Sequence, residues 1–154
     1  MKDLEVRIMK LEPVRVAHAL GYGAQPEDLA WSKLLAWAKA KNLLSSPVVP
    51  RFFGFNNPSP SQGSPHYGYE TWITVGPEVQ PEGEIGVKEF RGGLYAVTHI
   101  KGPEDDIFPT WQKLVAWVEK SRYTPARHQW LEEHFWDQLP DPTHAELDLM
   151  MPVA

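Results

Sequence analysis

Hydrophobic positions along the chain form two helical stripes and a larger number of short strand-like runs. Trp31, Leu34, Leu35 and Ala38 stand at i, i+3, i+4 and i+7, and Trp111, Leu114, Val115 and Val118 repeat that spacing, which places four side chains on one helix face. Each stripe follows a Pro with carboxylates, Pro26-Glu-Asp28 and Pro103-Glu-Asp-Asp106. Pro tolerates the first helical turn, and acids complement the positive helix end. Leu4, Val6 and Ile8 alternate with polar positions, and residues 14–18, 50–55, 67–75, 95–100, 128–136 and 146–153 are short runs of strand type. Residues 56–65, dense in Pro, Ser, Gly and Asn, predict a loop. Residues 76–86, rich in Pro, Glu and Gly, predict a joint.

The two stripes belong to a repeat. Trp31-Ser-Lys-Leu-Leu-Ala-Trp37 recurs as Trp111-Gln-Lys-Leu-Val-Ala-Trp117, and Val16-Ala-His18-Ala-Leu-Gly21 upstream matches Val97-Thr-His99-Ile-Lys-Gly102. The pattern predicts an α+β domain over residues 1–154, built from a duplicated strand, helix, strand, strand unit: half one about 1–77, the joint about 76–86, half two about 84–154. The sheet is expected to be mainly antiparallel with two long helices on it, pseudo-twofold symmetric, with a ligand groove between the halves. A helix after a strand also suits a parallel α/β fold, but paired strands with one helix per half argue against it.

Composition narrows the function. The 154 residues carry 15 Lys and Arg against 20 Asp and Glu, a formal charge of -5, the wrong sign for a surface that neutralises phosphates, so no direct nucleic-acid partner is expected. The absence of Cys excludes disulfides, thiolate metal sites and Cys nucleophiles. No signal-peptide core or membrane-length apolar stretch is present, which predicts a cytoplasmic chain with no membrane contact. Gly92-Gly93 is too short for a phosphate loop, and no Gly-x-Ser-x-Gly or Gly-Lys-Ser element occurs, so no cofactor is expected.

The aromatic content, 12%, changes the picture more. Phe53, Phe55, Tyr67, Tyr69, Trp72, Tyr95, Trp130, Phe135 and Trp136 lie outside the helical stripes and are candidates to line a groove, with core packing as the plain alternative for each. In His128-Gln-Trp130-Leu-Glu132-Glu133-His134-Phe135-Trp136, strand periodicity places Trp130, Glu132, His134 and Trp136 on one face. A carboxylate among indoles suits a delocalised cation, because opposite charges attract and flat rings stack. Glu133 takes that role if the register slips by one, and Glu70 shares a face with Trp72. His18 and His99 occupy matching repeat positions, but no third ligand is spaced to make a metal site, and none is expected.

These segments resemble a known family. Tyr69-Glu-Thr-Trp-Ile-Thr-Val75, Val87-Lys-Glu-Phe-Arg-Gly-Gly-Leu-Tyr-Ala-Val97, Trp130-Leu-Glu-Glu-His134 and Glu146-Leu-Asp-Leu-Met-Met-Pro-Val153 are similar, in order, to GyrI-like domains, the effector-binding domains of AraC-type and MerR-type transcriptional regulators, and Arg51-Phe-Phe-Gly-Phe-Asn-Asn-Pro58 fits the family's strand and Pro turn. The resemblance implies a duplicated fold whose pocket takes flat, hydrophobic, often cationic compounds around a central glutamate. The family's hydrophobic, Glu, any residue, Tyr pattern falls on Leu131, Glu132, Glu133 and His134, with His in place of Tyr. It implies a stand-alone effector domain, since the first strand begins in the opening residues.

Three functions follow as expectations. The first is a binding protein for aromatic cations, a drug sponge or a sensor. The second, implied by hydrolases within the family that the chain resembles, is an enzyme that opens reactive cyclopropane-bearing compounds, with Glu132 as base and His134 as a second proton carrier. The third is an inhibitor of a protein partner such as DNA gyrase, implied by one branch of the family.

Overall fold

The computed structural model describes residues 4–45, 50–57, 66–101, 107–135 and 146–154. Its elements are β1 (Arg7–Leu11), β2 (Val14–Gly23), α1 (Pro26–Ala40), β3 (Phe52–Asn56), β4 (Tyr67–Thr74), β5 (Gly86–Phe90), β6 (Gly93–Lys101), α2 (Ile107–Glu119), β7 (Leu131–His134) and β8 (Glu146–Pro152). All of the pairings between these strands described below are antiparallel, as an α+β fold requires. Two compact units divide the chain, residues 14–90 and residues 1–13 with 91–154.

In the 14–90 unit the strand order is β3-β4-β2-β5. α1 begins at Pro26 with Glu27 and Asp28 in its first turn and buries Ala30, Trp31, Leu34 and Ala38; of the expected stripe, Leu35 is only half-buried and Ala30 is buried instead. That stripe covers β2 and β4. Trp31 meets the Phe52 ring at 6.4 Å, and the Thr71 hydroxyl donates to the Ala30 carbonyl at 3.2 Å.

In the other unit the order is β1-β6-β8-β7. Leu114 and Val118 of α2 pack on Ala96, Ile100, Leu147, Leu149, Met151 and Val153, all buried, because alternate residues of β6 and β8 point to the helix. Gly92 turns the chain into β6 at φ +76, and a Cβ there would stand 1.9 Å from the Leu11 carbonyl oxygen, so only glycine fits.

Both units run strand, helix, strand, strand, and each takes its fourth strand from outside that run. The division differs from the expected cut near residues 76–86. β1 pairs with β6, Ile8 opposite Ala96, while β5 pairs with β2, Val87 opposite Ala17. β5 carries Lys88 and Glu89 side by side, as sheet-edge strands often do, and so gives no alternating signal. The expected strand over 128–136 is shorter, Leu131–His134. Trp136, the expected helix start at residues 103–106 and most of the expected loop at 56–65 lie outside the described residues.

Candidate functional site

Strand periodicity sorts the expected site residues of the 14–90 unit into two sets. Tyr67, Tyr69 and Thr71 point toward α1: the Tyr67 hydroxyl donates to Glu27, and Tyr69 lies over Gly54, where a Cβ would stand 2.2 Å from its hydroxyl oxygen. Glu70 and Trp72 point the other way, opposite Phe55 and Phe53 on β3 and Leu20 and His18 on β2. The Trp72 indole meets Phe55 at 5.2 Å, Phe53 at 6.3 Å and Phe90 at 5.1 Å, the first two edge-on. Phe53, Phe55 and Trp72 are buried.

Glu70 ends inside this aromatic cluster, with its side chain 8% exposed. Its Oε1 accepts from Asn57 Nδ2 at 3.0 Å; its Oε2 accepts from Trp72 Nε1 at 2.6 Å and from Lys88 Nζ at 2.5 Å. The Lys88 ammonium also stands 5.0 Å from the Trp72 ring centroid. Burial alone would raise the Glu70 pKa, but the bonds from Lys88, Trp72 and Asn57 outweigh it and hold the carboxyl below its ordinary range. His18 packs over Gly86, where a Cβ would stand 2.4 Å from the ring. Burial and the Lys88 charge lower its pKa, against an opposing pull from Glu70. The imidazole is therefore neutral near pH 7.

In the other unit the two neighbouring glutamates take opposite sides of β7. Glu132 pairs with Leu149 and His134 with Leu147, so both point toward α2. There Trp111 Nε1 donates to Glu132 Oε2 at 3.3 Å and the Trp111 ring meets Trp130 at 5.4 Å. Burial pushes the His134 imidazole down to about 4. Glu133 pairs with Asp148 and Leu131 with Met150, on the side away from α2 that also carries Tyr95 and His99. Glu133 is buried, and Tyr95 is fully buried with its hydroxyl donating to the Gln129 carbonyl at 2.5 Å. Burial raises the Tyr95 pKa, keeping the phenol a neutral donor.

Of the residues expected on one side, Trp130, Glu132, His134 and Trp136, the structure points Glu132 and His134 toward α2, and Trp111 contacts Glu132 and Trp130. Trp111 was assigned to the helical stripe by its spacing, and the structure gives it a polar contact as well. The side that Glu132 and His134 share is the one α2 packs on. Tyr67 and Tyr69 likewise point to a helix and do not join the Trp72 cluster.

A family model described as GyrI-like small molecule binding domain matches residues 4–154. The chain belongs to the GyrI-like family. Among solved structures, the EcmrR C-terminal domain is similar at TM-score 0.70 and 14% identity, covering 98% of each chain. In an EcmrR–DNA complex, 97% of this GyrI-like chain aligns with the EcmrR chain at TM-score 0.70 and 15% identity, spanning only 57% of that chain's length. A hydrolase from Listeria innocua is similar at TM-score 0.71 and 13% identity, with 100% of this chain and 94% of that one covered. SAV2435 bound to tetraphenylphosphonium is similar at TM-score 0.57 and 11% identity, with 98% and 94% covered. No curated protein matches the sequence. At these identities the structural likenesses establish the fold.

A further polar cluster of the GyrI-like chain involves His99. Its Nδ1 lies 2.8 Å from Asp148 Oδ1 and its Nε2 3.2 Å from Glu146 Oε1, while Arg7 Nη2 donates to Asp148 Oδ2 at 2.5 Å. A cleft of about 370 Å³ beside it is lined by residues that include Arg7, His99 and Lys113. His99 thus has carboxylate partners, and among the described residues no group of three or more His, Asp or Glu is arranged to hold a metal. Among them, too, no helix is long and apolar enough to cross a membrane.

Sequence reasoning missed Lys88, Phe90 and Asn57, which complete the Glu70 site. Lys88 and Phe90 stand on β5, the strand that carried no alternation. Asn57 lies in a segment read as a loop and as the turn after a strand, with no chemistry assigned to it.

Proposed function

We propose that this GyrI-like domain binds flat or globular hydrophobic cations, with Glu70 as the anionic partner and Trp72, Phe53, Phe55 and Phe90 as the aromatic surround. The observation that carries the reading is the cation already seated there: the Lys88 ammonium touches the Glu70 carboxylate and lies over the Trp72 ring. A largely desolvated carboxylate beside a π-face attracts a cation more strongly than either group alone in water. The similar fold of a protein bound to tetraphenylphosphonium, a hydrophobic cation, supports the ligand class. Glu133, buried on the side of β7 away from α2, is a separate candidate carboxylate in the other unit. The biological use is sequestration of such compounds or their sensing for transcription, the latter supported by the fold shared with the EcmrR effector region.

The test is calorimetric titration of tetraphenylphosphonium and of neutral triphenylphosphine oxide into wild type and Glu70→Gln. Selective loss of the cation in the variant is expected. Equal affinities of wild type and variant for the cation would refute the role of Glu70.

A second reading, hydrolysis with Glu132 as base and His134 carrying a second proton, is favoured by one observation. His134 lies two residues along β7 from Glu132 and on the same side, which places an imidazole beside the carboxylate. Turnover of an electrophilic cyclopropane substrate that disappears in Glu132→Gln, with binding retained, would establish it.

A further inference from the structure

We infer that Lys88 is a displaceable internal cation: its ammonium occupies the Glu70–Trp72 position, and a cationic ligand takes that position by exchanging with it. The inference rests on the cation-binding reading above and adds what the site selects for.

Three observations carry it. The first is reach. Lys88 stands on β5, across β2 from the carboxylate it bonds: it is opposite Val16, while Trp72 is opposite His18 and Glu70 opposite Leu20. Its side chain is extended over β2 to make a contact that no local constraint imposes. The second is exposure. The Lys88 side chain is 40% exposed and that of Glu70 only 8%, so the lysine is the member of the pair that can rotate into water. Leu20 beside it is also exposed, at 47%. The third is the donor set. Of the three groups bonded to Glu70, Trp72 and Asn57 are neutral and Lys88 alone is charged. When Lys88 leaves, Glu70 keeps two neutral hydrogen bonds and the place over the Trp72 ring lacks a cation.

The exchange therefore conserves charge. A neutral ligand that pushed Lys88 aside would strand a desolvated carboxylate, whereas a cation replaces the one removed. The identity of the competitor sets the preference further. A lysine ammonium is compact and strongly hydrated, so its release to water is favourable. A delocalised cation has little hydration to lose on entry. The site should thus reject neutral compounds and small hydrated cations alike and accept large delocalised ones.

The experiment is titration of tetraphenylphosphonium, at fixed salt, into wild type, Lys88→Gln and Lys88→Arg. Gln keeps a donor for Glu70 and removes the competing charge, so affinity should rise at least about tenfold. Arg, more weakly hydrated and able to stack on Trp72, should lower affinity several-fold. A Lys88→Gln affinity equal to or below wild type, with wild-type binding still dependent on Glu70, overturns the exchange. Wild-type binding unaffected by Glu70→Gln overturns the underlying cation reading and the exchange with it. A second measurement needs no variant. Acylation of Lys88 by an N-hydroxysuccinimide ester, followed by peptide mass spectrometry, should speed up when tetraphenylphosphonium is added, because the ammonium is released. A rate that falls or stays constant on ligand saturation contradicts the exchange.

Discussion

Trp72 and Glu70 stand two positions apart on β4, and the indole Nε1 of one donates to the carboxylate Oε2 of the other at 2.6 Å. Strand geometry puts their side chains on one side of the sheet, away from α1, where the carboxylate accepts from the side chains of Asn57, Trp72 and Lys88. The fold thus makes an aromatic residue both the wall of the site and the donor that steadies its charge.

Trp72→Phe separates those roles. The ring persists, but the indole donor and part of the buried volume are lost, so stability should fall by about 2–3 kcal/mol and the thermal midpoint by about 5–10 °C. Tetraphenylphosphonium should bind several-fold more weakly, because Phe offers a poorer π-face to a cation. Calorimetry of unfolding and of binding checks both.

Acid should destabilise the protein in two stages. His134 is pushed down to about 4 by burial, and His18 is lowered by burial and by Lys88, so between their unfolded value near 6.5 and the lower folded values the unfolded chain takes up protons that the folded one refuses. Stability is full above about pH 6.5 and declines as pH falls through that window. Replacing His134 by Phe should flatten the decline by at most about 1.4 kcal/mol per pH unit. Below the ordinary carboxylate range the depressed Glu70 group adds a further loss as it protonates, and Glu70→Gln should remove that part while lowering the His18 pKa further. Urea unfolding at a series of pH values reads both windows.

Gly92→Ala tests the turn between β5 and β6. The backbone there has φ +76 and the added Cβ would meet the Leu11 carbonyl, so a loss on the order of 2 kcal/mol or more is expected, with the thermal midpoint about 5 °C lower. An unchanged melting curve would mean that the turn relaxes freely.

The helices were legible because their stripes repeat with a helical period and sit under strong start signals: Pro26, Glu27 and Asp28 are where α1 begins. The pairing of Glu70 with Trp72 was legible for the same kind of reason, a separation of two on a strand rich in aromatic and β-branched residues. What was not legible depends on partners distant in sequence. Lys88 reads as an ordinary edge charge until β5 is laid beside β2, since nothing in Gly-Val-Lys-Glu-Phe announces which strand it joins. The adjacent glutamates 132 and 133 show the limit of period two: the alternation says that they diverge, and only the register of β7 on β8 says which one faces α2.

The central claim is that a buried carboxylate in the Trp72 cluster binds the cationic group of the ligand. Tryptophan fluorescence titrated with tetraphenylphosphonium in wild type, Glu70→Gln, Glu132→Gln and Glu133→Gln tests it most directly. The expected result is a loss of about ten- to a hundredfold in affinity for Glu70→Gln and near wild-type affinity for Glu133→Gln and for Glu132→Gln, whose carboxylate faces α2. Binding that survives Glu70→Gln and is lost in Glu132→Gln would contradict it and place the ligand on the Trp111 side.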